Sequence, residues 1–197
     1  MSQKLQLIGV AGTAGAGKDT VSDLLSEMFH LQNLSTGDLV RAITRWVYRQ
    51  PHDFNPARDE LFRVATYVRN EVSPETMVKL CILQAQVLQL PGGVLSGLRS
   101  VGEAEAVRQA GGIIVGVDAD PHVRYERMTA RKRDTEAQWT LEEFLKQDEH
   151  ENRGVSDSGP GRGIRAVIDS ADVLITNSGT LEELKLELTT KVAPLLH

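Results

Sequence analysis

The sequence predicts an α/β fold built around an open parallel sheet of five strands. Short apolar runs rich in β-branched residues alternate with helical stretches. Glycine or aspartate bounds these runs, which is typical of strands buried on both faces of a parallel sheet. The chain has 197 residues, of which 41% are hydrophobic and 25% charged, close to the average for globular proteins. This length and composition favour a single core with an insertion or two.

The predicted elements follow in order along the chain. Strands are predicted at residues 5–11, 33–35, 94–96, 113–117 and 173–176. One helix start is predicted where Ser73 precedes Pro74. Two more are predicted at Thr140 and Thr180, because a glutamate follows each of these threonines three residues later, as in a capping box. This order predicts right-handed crossovers between parallel strands and an open sheet. In such sheets ligands bind at the carboxyl ends of the strands.

Two segments interrupt the alternation of strands and helices. Residues from about 38 to 90 show no strand pattern and predict three helices, split near residues 51–56 and at 73–74, which form a helical insertion on one side of the sheet. Residues from about 134 to 163 contain one capped helix and then a stretch rich in glycine, serine and proline. The position of this second segment beside the expected ligand edge predicts a lid.

Charge and hydropathy exclude several classes of protein. The formal charge of −5 argues against a nonspecific binder of nucleic acid or of a membrane surface. No run approaches the ~20 apolar residues of a membrane helix, and the N-terminus lacks the pattern of a signal peptide. We therefore expect a cytoplasmic protein, a monomer or small homo-oligomer, with Cys81 reduced.

Arginine dominates the basic residues of this net-acidic chain. Of its 22 basic residues, 15 are arginine and 7 are lysine. The planar guanidinium group binds phosphate or carboxylate in a bidentate manner, so the excess predicts a local anion site. The alternative is a solvated surface of ion pairs.

The segment after the first strand has the pattern of a phosphate-binding loop. It reads GTAGAGKDT from Gly12 to Thr20, between a strand and a helix. Glycines allow successive backbone N–H groups to face a polyphosphate, the helix N-terminus adds positive potential, and the lysine reaches the β and γ phosphates. The predicted ATP-binding residues of this loop are Gly12, Ala14, Gly15, Ala16, Gly17, Lys18, Asp19 and Thr20.

Asp19 stands where a serine or threonine usually follows the lysine of such a loop. A carboxylate cannot supply the usual hydroxyl ligand for Mg²⁺ in the same way. We therefore expect the metal to be held by Thr20, by water or by another acid.

The loop resembles that of the nucleoside monophosphate kinases, a branch of the P-loop proteins, and LSTGDLVRA is similar to the acceptor segment of adenylate kinases. The resemblance implies a three-layer α/β/α P-loop domain over residues 1–197, with the helical insertion binding the acceptor. It also places Thr36 near the acceptor base, Asp38 near the phosphates and the metal, and Arg41 on the acceptor phosphate. The alternative is that Thr36 or Asp38 simply caps the next helix.

The third strand is followed by SGLRS, which resembles the D-G-x-x-R element of these kinases. The resemblance places Arg99 on the acceptor phosphate. Ser96 stands where the metal-binding aspartate is expected. Either Asp38 or Asp19 holds the metal instead, or catalysis is lost or altered.

After the fourth strand, Arg124, Arg127 and Arg131 lie at i, i+3 and i+7 of a predicted helix. Like charges at these spacings repel, so the cluster suits a polyanion that neutralises it. In the kinases that this chain resembles, two arginines of this helix contact ATP. The resemblance therefore implies the same role for Arg127 and Arg131. Three further arginines flank the flexible stretch and either close on the transferring phosphate or are solvated: Arg153, Arg162 and Arg165.

The C-terminal segment SADVLITNSGTLEEL resembles dephospho-CoA kinases and a related archaeal family of uncharacterised kinase-like proteins. This resemblance places Asn177 and Gly179 at the ATP adenine. The alternative is a turn that leads into the cap at Thr180.

Together these resemblances imply Mg²⁺- and ATP-dependent phosphoryl transfer to a small phosphorylated acceptor, a nucleoside or deoxynucleoside monophosphate. Lys18 would hold the donor, Arg99 the acceptor, and Arg127 and Arg131 the charge of the moving group. One alternative is dephospho-CoA kinase activity, with Asp38 or Asp19 as base. Another is a regulatory module that binds a nucleotide without transferring phosphate.

Overall fold

The computed structural model describes residues 5–130, 139–152 and 163–196. Within these ranges five strands form one sheet in which every neighbouring pair is parallel. The strands are β1 (Gln6–Gly12), β2 (Gln32–Ser35), β3 (Gly92–Leu98), β4 (Ile113–Asp118) and β5 (Val173–Thr176). Their order across the sheet is β2-β3-β1-β4-β5, so β1 is central and the predicted parallel sheet is confirmed.

Helices connect the strands and cover both faces of the sheet. They are α1 (Lys18–Phe29), α2 (Thr36–Val47), α3 (Arg58–Glu71), α4 (Thr76–Val87), α5 (Val101–Gln109), α6 (Pro121–Ala130), α7 (Leu141–Asn152), α8 (Ile164–Asp169) and α9 (Leu181–Val192). In the described part of the chain, no helix is long and apolar enough to cross a membrane.

Alternate residues of β1 build the two core layers. Leu7 and Ala11 face a cluster contributed by α4, α5 and α8, whereas Ile8 and Val10 face a cluster contributed by α1 and α9. This follows from the two-residue period of a strand, which sends successive side chains to opposite faces. Because both faces are covered, the sheet is the middle of three layers.

The segment predicted as one helical insertion divides into two parts. Helices α2 and α3 form a small separate core around Val40 and Ala65, to which α4 contributes Met77. Helix α4 also packs on the main sheet, where Val78 and Cys81 are buried. Helix α4 therefore belongs to both cores: it covers the sheet and also packs against α2.

The predicted helix starts agree with the structure where a side chain caps the helix. At α9, Glu183 N donates to Thr180 Oγ1 (3.2 Å) and Thr180 N donates to Glu183 Oε2 (2.7 Å). The same reciprocal pair joins Thr140 and Glu143 at α7. The start predicted at Ser73 is wrong: a turn comes first, and α4 begins at Thr76 with no side-chain cap.

Candidate phosphate-binding site

The loop between β1 and α1 has the backbone conformation that its glycines permit. Gly15 and Gly17 have φ angles of +77° and +85°, in the left-handed region that residues with a Cβ atom rarely adopt. A Cβ atom on Gly15 would lie 2.6 Å from the Arg124 carbonyl oxygen, and one on Gly17 would lie 2.3 Å from Asn177 Nδ2. The two glycines are thus required both by conformation and by the close approach of neighbouring elements.

Two further residues of the loop, Thr13 and Ala16, are buried. Gly12 ends β1, Ala16 is fully buried, and Ala16 N donates to Thr13 O (3.2 Å). Thr13 is 3% exposed, and its Oγ1 has no hydrogen-bond partner within the described part of the chain. Such an atom needs a polar partner, so the loop fits a ligand rich in oxygen. Thr13 is not among the loop residues predicted from the sequence to bind ATP.

Helix α1 begins at Lys18, and its N-terminal N–H groups have no side-chain cap. Free N–H groups at a helix N-terminus bind anions. Lys18 Nζ lies 3.6 Å from Asp19 Oδ1, and the Lys18 and Asp19 side chains are 25% and 59% exposed. Thr20 is exposed in the same first turn. Lysine, aspartate and threonine therefore all lie beside the loop.

Asn177 ties the end of β5 to the phosphate-binding loop. Its Nδ2 donates to Ala16 O (2.8 Å), its backbone N donates to Asp118 O (2.8 Å), and its side chain is buried. Its backbone oxygen accepts a hydrogen bond from Arg127 Nη1 (2.8 Å). The structure therefore brings Asn177 and Arg127 to the loop. Gly179 is exposed two residues farther on, where α9 starts.

The predicted cluster of three arginines on α6 is not a set of equivalent charges. Arg124 is 3% exposed and pairs with Asp148 of α7, with Nη–Oδ distances of 2.5 and 2.7 Å. A protein carboxylate, and not a polyanionic ligand, neutralises this arginine. Arg131 lies outside the described residues.

Two of the three arginines that flank the predicted flexible stretch, Arg153 and Arg162, also lie outside the described residues. Arg165 is described, and it is engaged: its guanidinium contacts Asp118 Oδ2 and Asp169 Oδ1, each at 2.8 Å. Its predicted alternatives were a phosphate contact or full solvation. Both carboxylates belong to the protein, so the structure instead gives Arg165 a role in joining α8 to the end of β4.

On the other side of β1, α2 follows β2 and starts beside the last residues of β3. Thr36 is buried, and its Oγ1 donates to Ser96 O (3.1 Å). Ser35 is the residue that caps α2, since its Oγ accepts from Asp38 N (3.2 Å); neither Thr36 nor Asp38 is the cap. Asp38 Oδ1 pairs with Arg41 Nη1 at 2.8 Å, and both side chains are exposed. The carboxylate therefore orients the arginine.

A buried carboxylate that is not among the predicted site residues shapes the turn after β3. Glu103 is 1% exposed, and its Oε2 accepts from Arg99 N (2.5 Å) and Ser100 N (3.1 Å). Burial raises the pKa of Glu103, although the hydrogen bond from Arg99 N partly opposes this effect. The Arg99 side chain is left exposed at the carboxyl end of β3. The signal was present in the sequence as Ser100 followed three residues later by glutamate.

Two predicted metal ligands, Thr20 and Asp38, supply oxygen donors near the loop and near the end of β2. Within residues 5–130, 139–152 and 163–196 there is no group of three or more histidine, cysteine, aspartate or glutamate residues that could hold a metal ion. Mg²⁺ in nucleotide sites keeps several waters and uses one or two protein oxygens together with phosphate oxygens. The donor set fits that mode of binding and does not fit an all-protein metal cage.

The strand order separates these residues into two groups. Since β3 lies on one side of β1 and β4 on the other, Asp38, Arg41 and Arg99 lie on the β3 side of the loop. Arg127 and Asn177 follow β4 and β5 and lie on the opposite side. The loop is thus flanked on both sides by exposed or partly exposed arginine.

Known proteins are similar to this chain over most of its length. A family model described as an AAA domain matches residues 8–152. A UPF0200 protein from Aeropyrum pernix is 34% identical over 185 residues, which cover 92% of this chain and 89% of that protein.

Among solved structures, TT1252 from Thermus thermophilus matches with a TM-score of 0.58 and 21% identity, covering 98% of this chain and 99% of that one. Shikimate kinase from Acinetobacter baumannii, in complex with shikimate, matches with a TM-score of 0.56 and 18% identity, covering 98% and 95%. At these identities the matches show the fold, which is that of the P-loop kinases.

Proposed function

The chain belongs to the AAA domain family and to the UPF0200 family, and from this premise we propose that it is an ATP-dependent phosphotransferase. The observation that carries the proposal is the placement of arginines on both sides of a phosphate-binding loop. Phosphoryl transfer needs a donor site and an acceptor site whose charges are both neutralised. A module that only binds a nucleotide needs no second anion site.

The donor side is formed by the loop and by the residues that follow β4 and β5. Loop N–H groups and the N-terminus of α1 would bind the ATP phosphates, with the Thr13 hydroxyl, which has no partner among the described residues, as a further donor. Lys18 would reach the β and γ phosphates, and Arg127 would neutralise charge on the transferring group. Mg²⁺ bound to the phosphates, with Thr20 or Asp38 as a protein ligand, would supply additional charge neutralisation.

The acceptor side takes a small molecule that carries a phosphate. Arg41 and Arg99 offer two guanidinium groups on one side of the loop. Each guanidinium group can donate two parallel hydrogen bonds to the oxygens of a phosphate. Asp38 keeps Arg41 oriented, and Glu103 fixes the backbone from which Arg99 projects. We propose a nucleoside or deoxynucleoside monophosphate as the acceptor, with α2 and α3 covering it and the segment around α7 closing as a lid.

A second candidate is transfer to a hydroxyl group, as in dephospho-CoA kinases. The solved shikimate kinase structure has the same fold. Asp38 also places an exposed carboxylate on the acceptor side, where a base for a hydroxyl would be needed. This candidate uses the same donor side and differs in where the phosphoryl group goes.

Acceptor-stimulated ATP consumption tests the proposal. The panel comprises AMP, CMP, UMP, GMP, their deoxy forms and dephospho-CoA, each assayed with ATP and Mg²⁺. For the acceptor that stimulates turnover, Arg99→Met is expected to raise the acceptor KM more than about tenfold while the ATP KM changes little, because a charge-assisted contact contributes about 1.5–3 kcal/mol.

Lys185→Met on α9 removes the same charge far along the chain from the acceptor arginines and should leave both KM values unchanged. The proposal fails if no acceptor stimulates turnover. It also fails if Arg99→Met leaves the acceptor KM at the wild-type value.

A further inference from the structure

We propose that the buried ion pair between Arg124 and Asp148 is a positioning device for the phosphate-binding loop. It fastens α7, which lies in the predicted lid, to α6 and holds one loop carbonyl on the side away from the ligand. This inference rests on the proposed function insofar as the loop binds the phosphates of a nucleotide. It assigns Arg124 and Asp148 roles as positioning residues that do not touch the substrate.

The hydrogen bonds of Arg124 connect three separate elements. Its Nη1 and Nη2 donate to the two oxygens of Asp148, its Nε donates to Ala119 O (3.0 Å), and its Nη1 also reaches Ala14 O (3.4 Å). The guanidinium lies over the Phe144 ring at 5.5 Å from its centroid. A buried arginine tolerates loss of water only when its N–H groups are paired in this way.

The contact with Ala14 controls the orientation of a peptide group in the loop. In a trans peptide the C=O of one residue and the N–H of the next point in opposite directions. When Ala14 O faces Arg124, the N–H of Gly15 must therefore face away from α6. Loss of the contact would release this peptide to rotate, which would turn a carbonyl oxygen toward a bound phosphate.

The backbone of α6 supports the same peptide from behind. The Arg124 carbonyl oxygen lies so close to Gly15 that a Cβ atom there would be 2.6 Å from it. The loop backbone at Gly15 is therefore in contact with the backbone of Arg124, the same residue whose side chain donates to Ala14 O. No intermediate element separates the ion pair from the phosphate-binding backbone.

In the part of α7 that the structure describes, Asp148 and Phe144 both join the helix to α6. Among the described side chains of α7, Phe144 is the only buried apolar one, at 2% exposure, and it packs on Tyr125 with ring centroids 5.7 Å apart. Tyr125 also donates to Trp139 O (2.9 Å) just before the helix. Movement of α7 away from α6 would separate Asp148 from Arg124, so the position of the helix and the conformation of the loop are linked.

Nucleotide binding by matched variants tests this proposal. Asp148→Asn removes the charge of the buried pair, whereas Glu142→Gln removes an exposed charge from the same helix, where Glu142 pairs with Lys146 at 2.7 Å. Calorimetric titration with ATP and with ADP is expected to show at least a tenfold higher Kd for Asp148→Asn. The Kd for Glu142→Gln should stay within twofold of the wild type.

The double variant Arg124→Met/Asp148→Leu separates positioning from stability. Apolar replacement of a buried ion pair is often neutral or stabilising, so the Tm of this variant should approach that of the wild type. Because methionine cannot donate to Ala14 O, its Kd for ATP is still expected to be raised at least tenfold. Recovery of wild-type binding together with the Tm would overturn the proposal and leave the pair a purely structural role.

The folded state of each variant is checked by protection of the buried Cys81 thiol, and titrations are run at a temperature where that protection is complete. Wild-type affinity in Asp148→Asn would sink the positioning proposal and leave phosphotransfer untouched. Conversely, a wild type that binds ATP but transfers phosphate to no acceptor would sink the proposed function alone. The two failures are therefore distinguishable.

Discussion

The carboxyl group of Glu103 links stability to pH at the level of a single residue. Burial raises its pKa, so the folded state holds the proton more strongly than the unfolded chain does. The stability associated with this group is fully present below the unfolded-state pKa, near 4.5, and is lost as the pH rises through the raised folded-state pKa. Glu103 therefore lowers the free energy of unfolding at neutral pH.

Glu103→Gln tests this sign. The glutamine oxygen can still accept from Arg99 N and Ser100 N, but no charge is buried. We expect the wild type to lose unfolding free energy relative to Glu103→Gln as the pH rises from 4 toward 8 in urea titrations. Glu105→Gln changes an exposed carboxylate on the same helix and should run parallel to the wild type. Parallel curves for Glu103→Gln would contradict the account.

The buried thiol of Cys81 should be unreactive in the folded protein. Burial, with smaller effects from the charges of Asp38 and Glu103, raises the pKa of its thiol to about 11. The thiolate is the reactive form, so the native protein should resist alkylation by iodoacetamide at pH 8 and react only after unfolding. Mass spectrometry with and without urea checks this. Stoichiometric labelling of the folded protein within minutes would show that the thiol is accessible.

Single residues also show where prediction from sequence stops. The glycines of the loop could be identified because their conformation and their spacing to Lys18 are local. Arg124 and Arg127 look alike in sequence, yet one is neutralised by Asp148 and the other contacts Asn177 O. Their partners lie 24 and 50 positions away, so only the folded chain distinguishes them.

At the scale of elements, α9 depends on its capping box. Thr180→Ala removes the side-chain acceptor for Glu183 N and is expected to lower the free energy of unfolding by about 1 kcal/mol. Thr190→Ala, in the exposed last turn of the same helix, removes only a bond to Leu186 O and should be neutral or stabilising. Chemical denaturation measures both. Equal effects at the two positions would rule out the cap as the cause.

Elements were predictable where their signals are local. Alternating apolar strands and helices gave the parallel sheet, and capping boxes located α7 and α9. The start of α4 was misplaced because the turn that sets it uses a backbone contact, from Thr76 N to Ser73 O, and no capping side chain. The place of α4 in the main core depends on its packing against β3, which no local pattern reveals.

At the scale of the whole molecule, the strand order explains the use of arginine. A central β1 places the phosphate-binding loop between two groups of arginines that follow different strands. Arg41 and Arg99 stand on one side and Arg127 on the other. Arg41 is exposed although it pairs with Asp38, whereas Arg124 is buried in its pair with Asp148 and Arg165 joins α8 to Asp118. Net acidity is compatible with this arrangement, because the proposed site needs positive charge only at one edge of the sheet.

The most direct test of phosphotransfer follows the γ-phosphoryl group of ATP by ³¹P nuclear magnetic resonance in the presence of Mg²⁺ and each monophosphate acceptor. The account predicts that ADP and the diphosphate of one acceptor appear together, without orthophosphate, and that Lys18→Met abolishes the change. A new phosphomonoester signal would assign the acceptor group to a hydroxyl. An unchanged ATP spectrum with every acceptor, or release of orthophosphate alone, would contradict the claim that this protein is a phosphotransferase.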